Sequence, residues 1–132
     1  MKKTAAALVE EAMAQVTTYT VEQARALHGH PGVVFVDIRD VRELEREGMI
    51  PGAFHAPRGM LEFWVDPESP YYKPVFTEDK TYILYCHADW RGVLAAATLK
   101  EMGLPNVLHL AGGFSEWKKL GAPTAAKPEK KK

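Results

Sequence analysis

Two short apolar runs set the hydrophobic pattern: Val33-Val34-Phe35-Val36, leading into Asp37-Ile38, and Tyr82-Ile83-Leu84-Tyr85, ending at Cys86. Runs of this length without polar alternation predict strands buried on both faces, as in a parallel sheet. Residues 106–110, Asn106-Val107-Leu108-His109-Leu110, predict a further strand, and residues 53–57 a short extended segment after the Pro51-Gly52 turn. Helical patterning fills the intervals. Residues 5–16 have helix-forming composition, with Glu10 and Glu11 on a polar side. Thr20 with Gln23 three positions on has the spacing of a capping box, opening a helix that ends at Gly29 or Pro31. Residues 40–47 are charged and helix-compatible, and residues 93–102 form the clearest helix, closed by Gly103 and Pro105. Residues 111–113 predict a sharp turn and residues 114–120 a last short helix, with Trp117 as a core anchor.

Strands alternating with helices at this spacing predict an α/β fold, a mainly parallel sheet with helices on both faces. Residues 58–76 interrupt the pattern. Pro67, Pro70 and Pro74 remove backbone donors, so a loop-rich excursion is expected, with one short helix near residues 59–64 and aromatics capping a core edge. The organisation that follows is a leader or short helix over residues 1–18, one domain over 19–124, and a disordered lysine-rich tail over 125–132.

Length and charge narrow the picture. A chain of 132 residues holds one ordinary domain. Lysine plus arginine balances aspartate plus glutamate at 17 each, which gives no charge argument for a nucleic-acid or membrane partner. Met1-Lys2-Lys3 and the apolar residues after it imitate a secretory signal, but Glu10-Glu11 stops the run, and no other stretch approaches the roughly 18 apolar residues of a membrane span. A cytoplasmic location is the expectation. It fits the single cysteine, which forms no intramolecular disulfide. The five histidines match no zinc-site spacing, and Gly112-Gly113 lacks the lysine and spacing of a phosphate loop.

Cys86 is the residue that calls for a chemical explanation. A lone cysteine ending a strand is often an inert core thiol. Here it follows the apolar run instead of lying inside it, precedes a polar span containing His87 and Arg91, and stands just ahead of a helix. Ligands of open parallel sheets bind at the carboxyl ends of the strands, which is where Cys86 falls. If residues 86–91 curl back, their N–H groups form an anion cradle around the sulfur, and Arg91 adds positive charge near the helix start. Such surroundings suit a thiolate or a persulfide, and the chemistry needs neither metal nor cofactor.

Four stretches, in order, resemble the rhodanese-like domains: Asp37-Ile38-Arg39; Gly48-Met49-Ile50-Pro51-Gly52-Ala53; Cys86 to Arg91; and Leu110-Ala111-Gly112-Gly113-Phe114-Ser115-Glu116-Trp117 with Gly121-Ala122-Pro123. The resemblance covers residues 20–123. It implies a parallel five-stranded sheet and a cysteine that takes a sulfane sulfur from a donor, thiosulfate or a persulfide, and passes it to a thiol or cyanide-type acceptor. A sulfur-carrier protein is a further candidate partner. By position, Cys86 would be the sulfur-carrying nucleophile, and His87, Ala88, Asp89, Trp90 and Arg91 the substrate cradle. Arg58 would reach the pocket, and Asp37 with Arg39 would support the site. The related cysteine phosphatases place arginine at the sixth position after cysteine and histidine before it. Here the sixth position is Gly92 and the preceding residue is Tyr85.

Two positions depart from the family pattern: Asp89, where many members carry glycine, and Gly92, where many carry serine or threonine. A carboxylate in the cradle opposes a dianion such as thiosulfate, unless Asp89 turns outward or pairs with Arg91. Two functions from different classes follow. One is a sulfurtransferase cycling through a Cys86 persulfide, favoured by the presence of both Cys86 and Arg91. The other is a catalytically weak rhodanese-like module for protein binding or redox sensing.

Overall fold

A computed structural model describes residues 1–77 and 79–129. Five parallel strands, β1 (Thr17–Tyr19), β2 (Val33–Asp37), β3 (Phe54–His55), β4 (Thr81–Tyr85) and β5 (Val107–Leu110), form one sheet in the order β1-β5-β4-β2-β3. The expected α/β architecture and five-stranded parallel sheet are therefore present. The apolar runs occupy the middle of the sheet, as burial on both faces requires. Along β2 and β4 the side chains alternate between two cores: Val36, Tyr82 and Leu84 pack on one face, and Phe35, Ile83 and Tyr85 on the other.

Helices α4 (Leu61–Val65) and α5 (Trp90–Glu101) close the first face through Leu61, Val65, Ala95, Ala96 and Leu99. Helix α1 (Ala5–Gln15) packs on α5 by setting Val9 and Ala12 against Val93. The second face is covered by α2 (Val21–Arg25) and α6 (Gly113–Lys119), which bring Val21, Ala24, Phe114 and Trp117. Trp117 is fully buried, and its indole N–H donates to the Pro123 carbonyl at 2.7 Å, so it is the expected anchor. The Thr20–Gln23 capping box forms, and Asp40 with Glu43 makes a second one at the start of α3 (Val41–Glu47).

Several boundaries differ from the sequence reading. Strand β1 straddles the boundary between the segment read as leader and the domain read from residue 19, too short and polar to show as a strand; it is held by pairing with β5 at the sheet edge. Helix α5 starts at Trp90 instead of Val93, because Trp90, Arg91 and Gly92, outside the apolar run, form its first turn. The excursion holds a 3-10 turn at Arg58–Met60 and then α4. Of its aromatics, Phe76 is buried against Phe54 and Tyr82, whereas Phe63 and Tyr71 are exposed. The tail is not free from residue 125 onward. Ala125 exchanges two backbone hydrogen bonds with Met49, at 2.8 and 2.9 Å. Gly48 permits this approach, since its φ is +82° and a Cβ there would lie 2.7 Å from the Ala125 carbonyl oxygen. Residues 130–132 of the expected disordered tail lie outside the described residues. Among the described residues, no helix is long and apolar enough to cross a membrane.

Candidate active site

Cys86 leaves the carboxyl end of β4 at the centre of the sheet and is 2% exposed. Its Sγ accepts the Gly92 N–H at 3.2 Å. Residues 86–91 line a shallow cavity of about 280 Å³. His87 and Ala88 are exposed on its rim, and Trp90 is 55% exposed beside them.

The loop is held from behind by α6. Phe114 N–H donates to the Cys86 carbonyl at 2.8 Å and Ser115 N–H to the His87 carbonyl at 3.0 Å. In a trans peptide the carbonyl and the following N–H point opposite ways, so the N–H groups of His87 and Ala88 face away from α6. Gly113 makes this contact sterically possible. It adopts φ +59°, and a Cβ there would lie 2.4 Å from the carbonyl oxygens of both Cys86 and Ala88. The turn at residues 111–113 does bring the chain against the cysteine loop.

The buried pair Asp37–Arg39 stands behind this arrangement. Arg39 donates to Asp37 through Nε (2.9 Å) and Nη2 (2.7 Å), and Nη2 also reaches the Gly48 carbonyl at 2.7 Å. Both side chains have no exposure to solvent. The guanidinium lies 4.4 Å from the centroid of Phe114, the residue whose N–H holds Cys86. Burial opposes the Arg39 charge, but the hydrogen bond and charge of Asp37 more than offset it, and the arginine is held above its ordinary range.

Arg91 does not pair with Asp89. Its Nη1 and Nη2 donate to Oε1 and Oε2 of Glu43 at 2.7 and 3.0 Å, a bidentate pair 48 positions apart in sequence. This hydrogen bond is the main reason that the Glu43 carboxyl sits below its ordinary range and Arg91 above its own. Asp89 instead accepts the Gly112 N–H at 2.8 Å through Oδ1, tying the cysteine loop to the turn before α6. It heads α5 without capping it through its side chain.

His109, which the sequence offered only as a strand residue, lies beneath the loop. It is fully buried on β5, with Nδ1 3.4 Å from Thr18 Oγ1 and Nε2 3.7 Å from Asp89 Oδ1. Burial lowers its proton affinity more than Asp89 raises it, so the ring is neutral at neutral pH. A Cβ at Gly92 would come within 3.0 Å of His109 Cδ2 and 3.2 Å of Nε2. The imidazole thus occupies the space into which a serine or threonine at position 92 would project, which accounts for the glycine. Arg58, the remaining candidate, is exposed and does not line the cavity. Its backbone N–H donates to the Ile38 carbonyl at 3.1 Å.

A larger cavity, about 460 Å³, lies at the other end of α5 among Val65, Tyr72, Phe76, Met102 and Leu104. Cys86 is a helix length away, about 18 Å for twelve residues.

Comparison with known proteins places these features in a family. The model for the rhodanese-like domain matches residues 20–120. A protein from Allochromatium vinosum named sulfurtransferase is 32% identical over 94 residues, 71% of this chain and 79% of that protein. Among solved structures, a Rhodopseudomonas palustris protein of unknown function, described as a possible tyrosine phosphatase, superposes with a TM-score of 0.92 at 49% identity, over 95% of this chain and 96% of that one. A polysulfide-sulfur transferase from Wolinella succinogenes has a TM-score of 0.71 at 26% identity, covering 90% of this chain and 85% of its own.

Proposed function

The chain belongs to the rhodanese-like domain family, and on that premise we propose that it is a sulfurtransferase carrying a sulfane sulfur on Cys86. The observation that carries this reading is the setting of Sγ. It accepts the Gly92 N–H at the head of a twelve-residue helix, in a loop whose Cys86 and His87 carbonyls are drawn away by α6. Donors without an intrahelical partner at that helix end favour negative charge on a sulfur placed among them. The Allochromatium and Wolinella proteins, named for sulfur transfer, support the same reading.

In the first half-reaction Cys86 Sγ attacks the sulfane sulfur of thiosulfate or of a persulfide. A Cys86 S–S bond forms, the donor's bond to that sulfur breaks, and sulfite or a thiolate leaves with the bonding pair. In the second, an acceptor thiol attacks the outer sulfur, takes it as a new persulfide and returns Cys86 to its starting state. Cyanide would be attacked in the same way, giving thiocyanate, and a sulfur-carrier protein presenting a thiol is the corresponding macromolecular acceptor. His87, Ala88 and Trp90 form the rim against which donor and acceptor rest.

Incubation with thiosulfate or a small persulfide, followed by intact mass spectrometry, tests the proposal. The expected product carries one extra sulfur atom, loses it to cyanide or thiol, and does not form in Cys86→Ala. No adduct from any donor would sink the proposal and leave the binding or redox-sensing module.

The similarity to the Rhodopseudomonas protein favours a second reading, a phosphatase. Opposing it, Arg91 is the fifth residue after Cys86 and both terminal nitrogens of its guanidinium donate to Glu43. Cys86-dependent hydrolysis of p-nitrophenyl phosphate, with no sulfur adduct, would establish that reading in place of sulfur transfer.

A further inference from the structure

Resting on the sulfur-transfer reading above, we infer that the donor is an alkyl persulfide, not a dianion, and that Asp89 sets this choice. Of the six residues lining the cavity, one brings a carboxylate, Asp89, and one a guanidinium, Arg91. The Arg91 charge is matched by Glu43 in a bidentate pair, and Glu43 is only 17% exposed. Among the described residues Asp89 pairs with no lysine or arginine; its side chain accepts the Gly112 N–H, and the ring nitrogen that approaches it, on His109, belongs to a buried imidazole whose proton affinity burial lowers.

Three further arginines are not available to it: Arg39 is buried against Asp37, Arg42 pairs with Asp40 at 3.1 Å, and Arg58 lies outside the cavity lining. Among the residues lining the cavity, Asp89 is therefore a carboxylate without an arginine or lysine partner, held at a fixed place. The Gly112 hydrogen bond keeps Oδ1 there, although the side chain is 46% exposed and would otherwise be free to swing into water.

The helix terminus and the Gly92 N–H serve the one negative charge that develops on the transferred sulfur. A dianion brings a second charge, and that charge meets Asp89. A persulfide R–S–SH brings none beyond its reacting sulfur, and exposed Trp90 with Ala88 offers an apolar wall for R. The step balances without a further reactant. Cys86 thiolate attacks the outer sulfur, the new S–S bond forms as the R–S bond to that sulfur breaks, and RS⁻ departs with the electron pair and takes up the persulfide proton. A free small thiol and a protein cysteine are two sources of the same group.

The test compares rates of Cys86 sulfur loading from thiosulfate, from the uncharged-tail 2-hydroxyethyl persulfide, and from a short unstructured peptide of no net charge bearing a cysteine persulfide. Either persulfide should load wild-type protein about tenfold or more faster than thiosulfate, and the faster of the two identifies a small or a protein-borne source. Loading from thiosulfate should rise with ionic strength as the repulsion is screened. Asp89→Asn, whose amide oxygen retains an acceptor for Gly112, should raise the thiosulfate-to-persulfide rate ratio about tenfold, and Asp89→Glu should leave it low. Equal loading of wild-type protein from thiosulfate and persulfide overturns the donor assignment while sulfur transfer stands, as does a ratio unmoved by Asp89→Asn. Absence of any Cys86 adduct with all three donors overturns the sulfur-transfer reading itself, and the donor assignment with it.

Discussion

Two arginine–carboxylate pairs brace the same cysteine loop from different depths. Asp37–Arg39 lies entirely inside the protein, behind Phe114 and the start of α6. Glu43–Arg91 lies at the rim, with the arginine side chain 39% exposed. Their geometries are alike, each with two short N–H···O contacts, but their surroundings are not. A charge inside has no water to fall back on, so removing its partner costs far more than the pair itself contributes. At the rim, water replaces much of what a partner supplies. Similar chemistry therefore does two jobs: the inner pair fixes where the backbone runs, and the outer one decides how much charge the pocket shows.

The comparison can be broken most forcefully from inside. Asp37→Asn leaves the buried Arg39 charge only the more distant Glu47 carboxylate, 3.7 Å from Nη1, and should lower stability by about 3–5 kcal/mol, read from the urea-unfolding midpoint. A loss similar to that of the rim variant would erase the distinction.

Glu43→Gln should cost no more than about 1 kcal/mol at neutral pH, because the pair it breaks is partly solvated. The sign with pH follows from the depressed Glu43 carboxyl, whose main cause is the Arg91 hydrogen bond. Its contribution is complete above the ordinary value of 4.5 and is lost as pH falls through the lower value in the folded protein. Wild type and Glu43→Gln should then converge in acid, which unfolding at neutral and acidic pH will show.

A third effect belongs to His109, which lies under the loop with no carboxylate in hydrogen-bond contact. Burial holds its proton affinity down, so below the ordinary value of 6.5 the unfolded chain takes up a proton that the folded one refuses. Stability should begin to fall there, at a slope never exceeding one proton, before the Glu43 window is reached. Urea midpoints of His109→Asn across the same range should lack that early decline.

The inner half of this arrangement was largely legible from sequence. Unbroken apolar runs marked β2 and β4 because burial on both faces admits few polar residues, and Asp37-Ile38-Arg39 was marked by its resemblance to the first motif of the rhodanese-like domains. The outer half was less so. Glu43 looked like any charged residue of an exposed helix, and nothing local ties it to Arg91, 48 positions later. Asp89 was visible as an oddity, but the Gly112 N–H that holds it is a backbone group and leaves no compositional trace. The fit between Gly92 and His109 depends on packing between α5 and β5. Strand β1 went unread because Thr17-Thr18-Tyr19 is short and carries no apolar run; its position is set by pairing with β5.

That edge pairing has a consequence for the order of assembly. Thr18 stands opposite His109, 91 positions away, and β1 has no other neighbour in the sheet. During synthesis at roughly 5–20 residues per second, the segment must wait on the order of 5–20 s for its partner to be made. Long-range parallel pairing is also the slowest contact to close. Strand β1 is thus the last part of the sheet for which a nascent chain can find a place.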